Sequence, residues 1–563
     1  MDSETSVLIV GGGPVGLAMA LELGWRGIDC VLIDQGDGKA PLPRASGIAV
    51  RTMEFCRRWG IEDEVFEGGF PTDYRLDTIY CTSVTGYELE RNVNPAIRDQ
   101  EPLAFSPVNK HRLPQHLLDP LLERAAKRYR HVKIRRRWRL SGFEQDADGI
   151  VASIEALDQA ADYDFNRSGA PIAVQAAQDG PLIRARYMVA CDGVMSGVRD
   201  ALGIGFEGTG PNGNSVLGYS ISALLTIPGL TERHDKGEAE RFVFVGQEGI
   251  WGNLTTVDGG DRWRLTIAGT VEKLDLSTID MPALVRRSLG RDDIPFEIEV
   301  ITPWRRRQMV AERMRSGRVL LAGDAVHAMS PTGGFGMNTG LGDVIDLGWK
   351  LEAALRGWGG PGLLDSYEIE RAPVAWRNTR AAASNFHPWR MTLDFSRILD
   401  PASEAEGERE VIGRTIKDAF AAEWESWGVT LGYRYDGSPI CVADGTVPTP
   451  DEPMVYVPSA RPGGRAPHLW LRNGRSILDL FGQGFTLLTF DDDATREAIA
   501  LHQLAQALAM PLKIVRIAEP EAAALYERRF VLVRPDGHVA WRDDAIPADP
   551  QALLDTVRGA VAG

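Results

Sequence analysis

The stretch SVLIVGGGPVGLAMALELGWRGIDCVLID, Ser6 to Asp34, decides how this chain is read. SVLIV is a short, β-branched-rich run of the kind that forms a buried parallel strand. Gly11, Gly13 and Gly16 follow at GxGxxG spacing, and GLAMALELGWRG then has helical periodicity, with Gly27 as its stop. CVLID returns as a second strand and ends in Asp34, 18 positions after Gly16. In this strand–turn–helix–strand setting the glycine spacing is specific for a dinucleotide. Gly11 permits the tight turn, Gly13 admits a pyrophosphate to the backbone, and Gly16 lets helix and strand pack closely. The helix start at Pro14 and Val15 offers unpaired N–H groups to phosphates, and Asp34, followed by Gln35, can accept from ribose hydroxyls.

The rest of the composition sets limits. At 563 residues the chain has room for two to four domains. No apolar run approaches the roughly 18 residues of a membrane span. Acidic Asp2 and Glu4 and the lack of a cleavage site make a signal peptide a poor reading. A net charge of −16 argues against nucleic-acid partners. The basic run KRYRHVKIRRRWR, Lys127 to Arg139, reads mainly as a solvated edge. Cys30, Cys56, Cys81, Cys191 and Cys441 are scattered without a CxxC pair, which suits a reducing cytoplasm and gives no metal site. The expectation is a soluble, cytoplasmic, multidomain protein with no membrane or nucleic-acid partner.

Two further motifs lie downstream: CDGVMSGVRDALGI from Cys191, and AGDAVHAMSPTGGFGMN from Ala322. In the latter, strand RVLLAG delivers Gly323 and Asp324, a glycine-rich turn follows, and a helix begins near Met337. Its positive end could stabilise negative charge on a bound ring. With the opening motif, these resemble the flavin-dependent aromatic hydroxylases of the p-hydroxybenzoate and phenol hydroxylase type. The resemblance covers residues 5 to 400 and implies FAD as the dinucleotide.

By that resemblance Gly323, Asp324, Pro331, Gly334, Gly336, Met337 and Asn338 hold the flavin and its chain, and Asp192, Gly193 and Arg199 serve FAD and nicotinamide. PRASGIAVRTMEF would bring Arg44 near the pyrophosphate, and HRLPQHLLDPLLERA would bring Arg112 and Gln115 to the flavin. The family reduces FAD with NADPH or NADH, captures O2 as a flavin C4a-hydroperoxide, and transfers oxygen to a phenolic ring. Pro331 would shape the flavin edge, and Arg262, in DRWRLTI, would stabilise developing negative charge. His327 matches a structural position. Relatives that carry a histidine after PRA use it in phenol deprotonation; here Ser46 stands instead, and Tyr219, Trp251 and His116 are no more than guesses at a replacement.

The expected fold is α/β: a Rossmann-like FAD domain of the glutathione-reductase type (residues 1–75, 105–200 and 300–400), with a mixed-sheet substrate domain (76–104 and 201–299). A connection (401–440) leads to a thioredoxin-like C-terminal domain (441–563), suggested by RAPHLWLRNGRSILDLFGQGFTLLTF and FVLVRPDGHVAWR. Pro535–Gly537 also reads as a hairpin turn on physical grounds. Residues 151–180 read as a surface insertion. A homodimer is a candidate assembly. The rival readings are another FAD oxidoreductase, such as a halogenase, whose WxWxIP segment is missing here, and a non-catalytic flavoprotein sensor.

Overall fold

The structure, a computed structural model, describes residues 3–39, 45–159, 172–173, 180–208, 216–270 and 275–561, and three larger sheets organise them. Strand Ser3–Val10 pairs in parallel with Cys30–Asp34 on one side and Leu182–Ala190 on the other. Val132–Arg136 and Val319–Leu321 extend this parallel set. Val7, Leu8 and Ile9 are wholly buried, which is why the strand reads as a continuous apolar run rather than an alternating one. Helix Pro14–Trp25 packs on helix Phe335–Arg356, whose buried faces include Leu341, Val344 and Leu351. Every parallel strand of this sheet except Val132–Arg136 therefore leads into one of the three motifs.

The hairpin Trp138–Gln145 and Ile150–Ala156 joins the same sheet through Leu182–Ala190. Residues 160–171 and 174–179 of the expected insertion, like Arg44, lie outside the described residues. The first residues of that stretch belong to strand Ile150–Ala156 of the sheet rather than to surface decoration, and the sheet resumes just beyond it with Leu182–Ala190.

The second sheet has seven strands in the order 297–307, 216–226, 262–270, 249–256, 241–246, 78–81, 88–92. Strand Glu297–Arg307 pairs along its length with Val216–Thr226, so the second sheet runs on to Arg307, beyond the boundary expected at 299. The stretch 401–440 is also more than a connection. Helix Ala402–Trp424 sets Ile412, Ile416 and Phe420 at four-residue spacing against Tyr80, Val243 and Val245 of the second sheet. That apolar stripe makes the helix a layer of the domain.

The C-terminal sheet runs 512–516, 485–489, 530–533, 539–543, the first pair parallel and the others antiparallel. Helices Asp492–Ala507, Pro520–Tyr526 and Pro550–Val557 complete a thioredoxin-like arrangement. Arg534, at the turn between its last two strands, reaches Asp346 and Glu370 on helices of the first domain, where Lys350 also pairs with both. All four side chains are fully buried. Burial raises the Cys441 thiol despite the nearby Arg534. Among the described residues no helix is long and apolar enough to cross a membrane.

Candidate active site

One cavity of about 670 Å³ runs from the opening glycines to the underside of the second sheet. Gly11, Gly13, Pro14, Val15, Asp34 and Gln35 line one end, Asp192 and Gly193 the side, and Asp324, Pro331, Gly334, Gly336, Met337 and Asn338 the middle. Arg112 and Gln115 line it as well. The three motifs, far apart in sequence, thus meet around one space.

The residues present suit a dinucleotide. Gly11 has φ +103° and lies against the backbone of Cys191, so the turn excludes a side chain there. Gly13 and Gly334 differ: a Cβ on either would meet no protein atom within 4 Å, which leaves the space above them for a ligand. Each is the N-cap of its helix, and neither helix is capped by a side chain. Two sets of helix N–H groups and two positive helix ends therefore face the cavity, as an anion requires. Asp34 accepts from Gly12 N at 2.7 Å and Gly36 N at 2.9 Å, and Arg136 pairs with it at 3.1 Å. Arg136 comes from the basic run read mainly as a solvated edge, and it turns inward instead, donating to the Gly12 carbonyl at 3.0 Å.

Several of the expected residues hold the protein together, Gly16 and His327 as the sequence implied. Gly16 and Gly323 are packing positions outside the cavity lining: a Cβ on Gly16 would strike the Gly11 carbonyl, and one on Gly323 would strike Val15. Arg199 also stands off the cavity lining. It donates to the carbonyls of Val194 and Ala325, stitching the second motif to the third. The Asn338 side chain accepts from Ala49 N and Thr52 Oγ1 and donates to the carbonyls of Gly47 and Gly334, so it clamps the 47–52 segment to the helix. Gln115 donates to Asp119, whose carboxyl is pushed up to about 7 by burial. His327 is wholly buried, with Nε2 2.8 Å from Asp343. Burial would raise Asp343, and Arg371 with His327 more than offsets it, holding this carboxyl below its ordinary range.

Residues 4–382 match the FAD binding domain family, and residues 459–561 match the family described as aromatic-ring hydroxylase, C-terminal. The chain belongs to the FAD-dependent aromatic-ring hydroxylases. It is 35% identical to tetracenomycin B2 monooxygenase-dioxygenase of Streptomyces olivaceus over 98% of both chains. It is 30% identical to 2,4-dichlorophenol 6-monooxygenase of Cupriavidus pinatubonensis, over 97% of this chain and 94% of that one. Among solved structures, RebC soaked with chromopyrrolic acid and holding 7-carboxy-K252c superimposes with a TM-score of 0.88 at 37% identity, covering 100% of both. Aklavinone-11 hydroxylase in complex with FAD and aklavinone gives 0.79 at 29% identity, over 99% of this chain and 100% of that one.

The hydroxylase places Arg262 away from the cavity. It opens its strand, is 34% exposed, and pairs with Glu299 at 2.8 Å on the outer part of the sheet. Two residues on, Arg264 shares its strand face and does line the cavity. Position along the strand decides between them, and spacing alone carries no such information. Arg262→Met is expected to leave turnover within about twofold of wild type, because an exposed ion pair is worth little. A steady-state assay that found a hundredfold loss would return Arg262 to the site.

The part of the cavity under the second sheet contains residues that no motif in the sequence points to. Ser222, Asn253 and Thr266 of the second sheet line it, with Trp304, Trp389, Trp424 and Trp427. Trp304 Nε1 donates to Ser222 Oγ at 2.9 Å, which in turn lies 3.0 Å from Thr266 Oγ1. Glu240 pairs with Arg112 and Glu423 with Arg241, so both carboxylates here are held by guanidinium groups. Tyr219, Trp251 and His116 are not among the lining residues. The one available signal was the tryptophan pair in WESW, whose role depends on where the helix Ala402–Trp424 ends.

Proposed function

We propose that this hydroxylase takes electrons from NADH or NADPH and oxygen from O2 to hydroxylate an electron-rich aromatic of more than one ring. The observation that carries this reading is the single cavity joining the dinucleotide cradle to a chamber walled by Trp304, Trp389, Trp424 and Trp427. Flat aromatic walls suit a flat ligand, through apolar burial and offset stacking. The relatives' own names include tetracenomycin B2, aklavinone and the rebeccamycin biosynthetic enzyme RebC, alongside 2,4-dichlorophenol.

Gly11, Gly13, Pro14 and Val15 would hold the pyrophosphate at the first helix, with Asp34 and Gln35 at the ribose. The start of helix Phe335–Arg356 would hold the ring system, its N–H groups stabilising negative charge there. FAD, when bound, accepts hydride from the nicotinamide and activates O2. Pro331 presents a fixed wall beside this site. The tryptophans exclude water and orient the substrate ring. Ser222 and Thr266 offer hydroxyls to a ring substituent.

The test is NAD(P)H consumption by the FAD-loaded protein across phenols, naphthols and hydroxylated anthraquinones, with peroxide and hydroxylated product quantified together. Stimulation with product equal to NAD(P)H consumed, and a preference for the larger rings of at least about tenfold in kcat/KM, is expected. A flavoprotein sensor would show no ring-dependent stimulation at all, and that result would sink the reading.

A further inference from the structure

The substrate half of the cavity carries more positive than negative charge. Lys110, Arg112, Arg241, Arg264 and Arg306 line it against Glu240 and Glu423. Arg112 and Arg241 are taken up by those carboxylates. Arg306 stands differently: it is 3% exposed and has no ion pair among the described residues. Its guanidinium lies 4.7 Å from the Trp304 ring centre and 4.2 Å from that of Phe386, and Nη1 donates weakly to Ser330 Oγ at 3.4 Å. The Arg306 Nε has no hydrogen-bond partner. Burial pushes Arg306 down to about 9, with Glu423 opposing and Arg390 adding to the fall, so it remains a cation at neutral pH.

A buried cation with donors unused is unfavourable unless a ligand supplies the counter-charge. The remaining acids along the cavity, Asp34, Asp192 and Asp324, belong to the dinucleotide part. We propose that Arg306 is the anchor of an anion subsite, and that the aromatic substrate carries a carboxylate in addition to the ring position that is hydroxylated. This rests on the hydroxylase reading given above and narrows it to acidic polycyclic substrates. A carboxylate fits for two reasons. It is ionised at neutral pH without help from a base, and its two oxygens match the fork of a guanidinium. Trp304 and Phe386 lie within cation–π reach of the guanidinium and help hold it in place.

The test uses matched probes on the FAD-loaded protein: 1,4-dihydroxy-2-naphthoic acid and its methyl ester, each titrated against the absorbance of the bound flavin. The acid is expected to bind about 10- to 100-fold more tightly than the ester, the range of a charge-assisted hydrogen bond. Arg306→Met should bring the two within about threefold with FAD content unchanged, and Arg306→Lys should restore part of the preference. An ester that binds as well as the acid overturns the proposal, and so does an acid preference that survives Arg306→Met. If neutral naphthols and anthraquinones are hydroxylated and their carboxylic acids are not, only the anion subsite fails. If no ring of either kind stimulates NAD(P)H oxidation, the hydroxylase reading fails with it.

Discussion

Gly13→Val is expected to abolish cofactor retention while leaving the fold intact. Gly13 has φ −77° and ψ −175°, a conformation open to any residue and favoured before Pro14. A Cβ there meets no protein atom within 4 Å, so valine strains nothing in the protein itself. It would instead fill the space through which a pyrophosphate reaches the helix N–H groups. The dissociation constant for FAD should rise by at least about 100-fold, or roughly 2.7 kcal/mol, in a fluorescence titration of the apoprotein. The melting temperature of the apoprotein should stay put. Gly16→Val provides the contrast, since its Cβ would strike the Gly11 carbonyl and must disturb the turn. That variant should lose thermal stability even without cofactor. Normal FAD affinity in Gly13→Val would mean that the pyrophosphate lies elsewhere.

Arg534→Met is expected to be the most destabilising single change at the junction of the C-terminal domain. Arg534 pairs with Asp346 at 3.0 Å and Asp536 at 2.6 Å, and also with Glu370. Methionine would leave Asp346 and Glu370 with Lys350 as their remaining cationic partner among the described residues, and Asp536 with His538. Removing one member of such a buried group costs about 3–5 kcal/mol, because the partner charges stay behind without compensation. Urea unfolding should register this as an earlier transition. The pH dependence has a definite sign. Burial would raise Glu370, but Arg534 and Lys350 more than offset it and hold this carboxyl down to about 2. In the wild type its contribution is complete above the ordinary carboxylate range and fades only as pH falls toward 2. Burial already raises Asp346 well above the ordinary carboxylate range; without Arg534 it rises further, the other buried carboxylates rise with it, and the group folds best when protonated. The deficit of the variant should therefore widen from pH 5 to pH 8. A deficit independent of pH would show that lost packing, rather than charge, is responsible.

The dinucleotide half of this protein was legible because its determinants are local. The glycine spacing, the flanking strands and Asp34 all lie within Ser6–Asp34, and turn geometry, helix ends and strand burial act over just such distances. The later motifs were legible as a resemblance, and most of their residues converge on the same cavity. Arg199 and Asn338 were expected to hold the cofactor, and their side chains hold backbone segments together. A motif specifies which residues occur, whereas the partner of each side chain depends on segments hundreds of positions away.

The substrate half was set by tertiary structure. Arg262 and Arg264 look alike in sequence, and only the sheet puts one beside Glu299 at the surface and the other in the chamber. Trp424 and Trp427 reach that chamber because helix Ala402–Trp424 docks its apolar stripe on the second sheet. Arg306 is buried without an ion pair among the described residues, and that is a property of the assembled cavity. The sequence by itself determined the nucleotide fold and its anion-binding helix ends, because backbone conformation is written in short-range patterns. The tertiary structure alone decided which cations and rings line the chamber under the second sheet, because burial and charge balance come from residues distant along the chain.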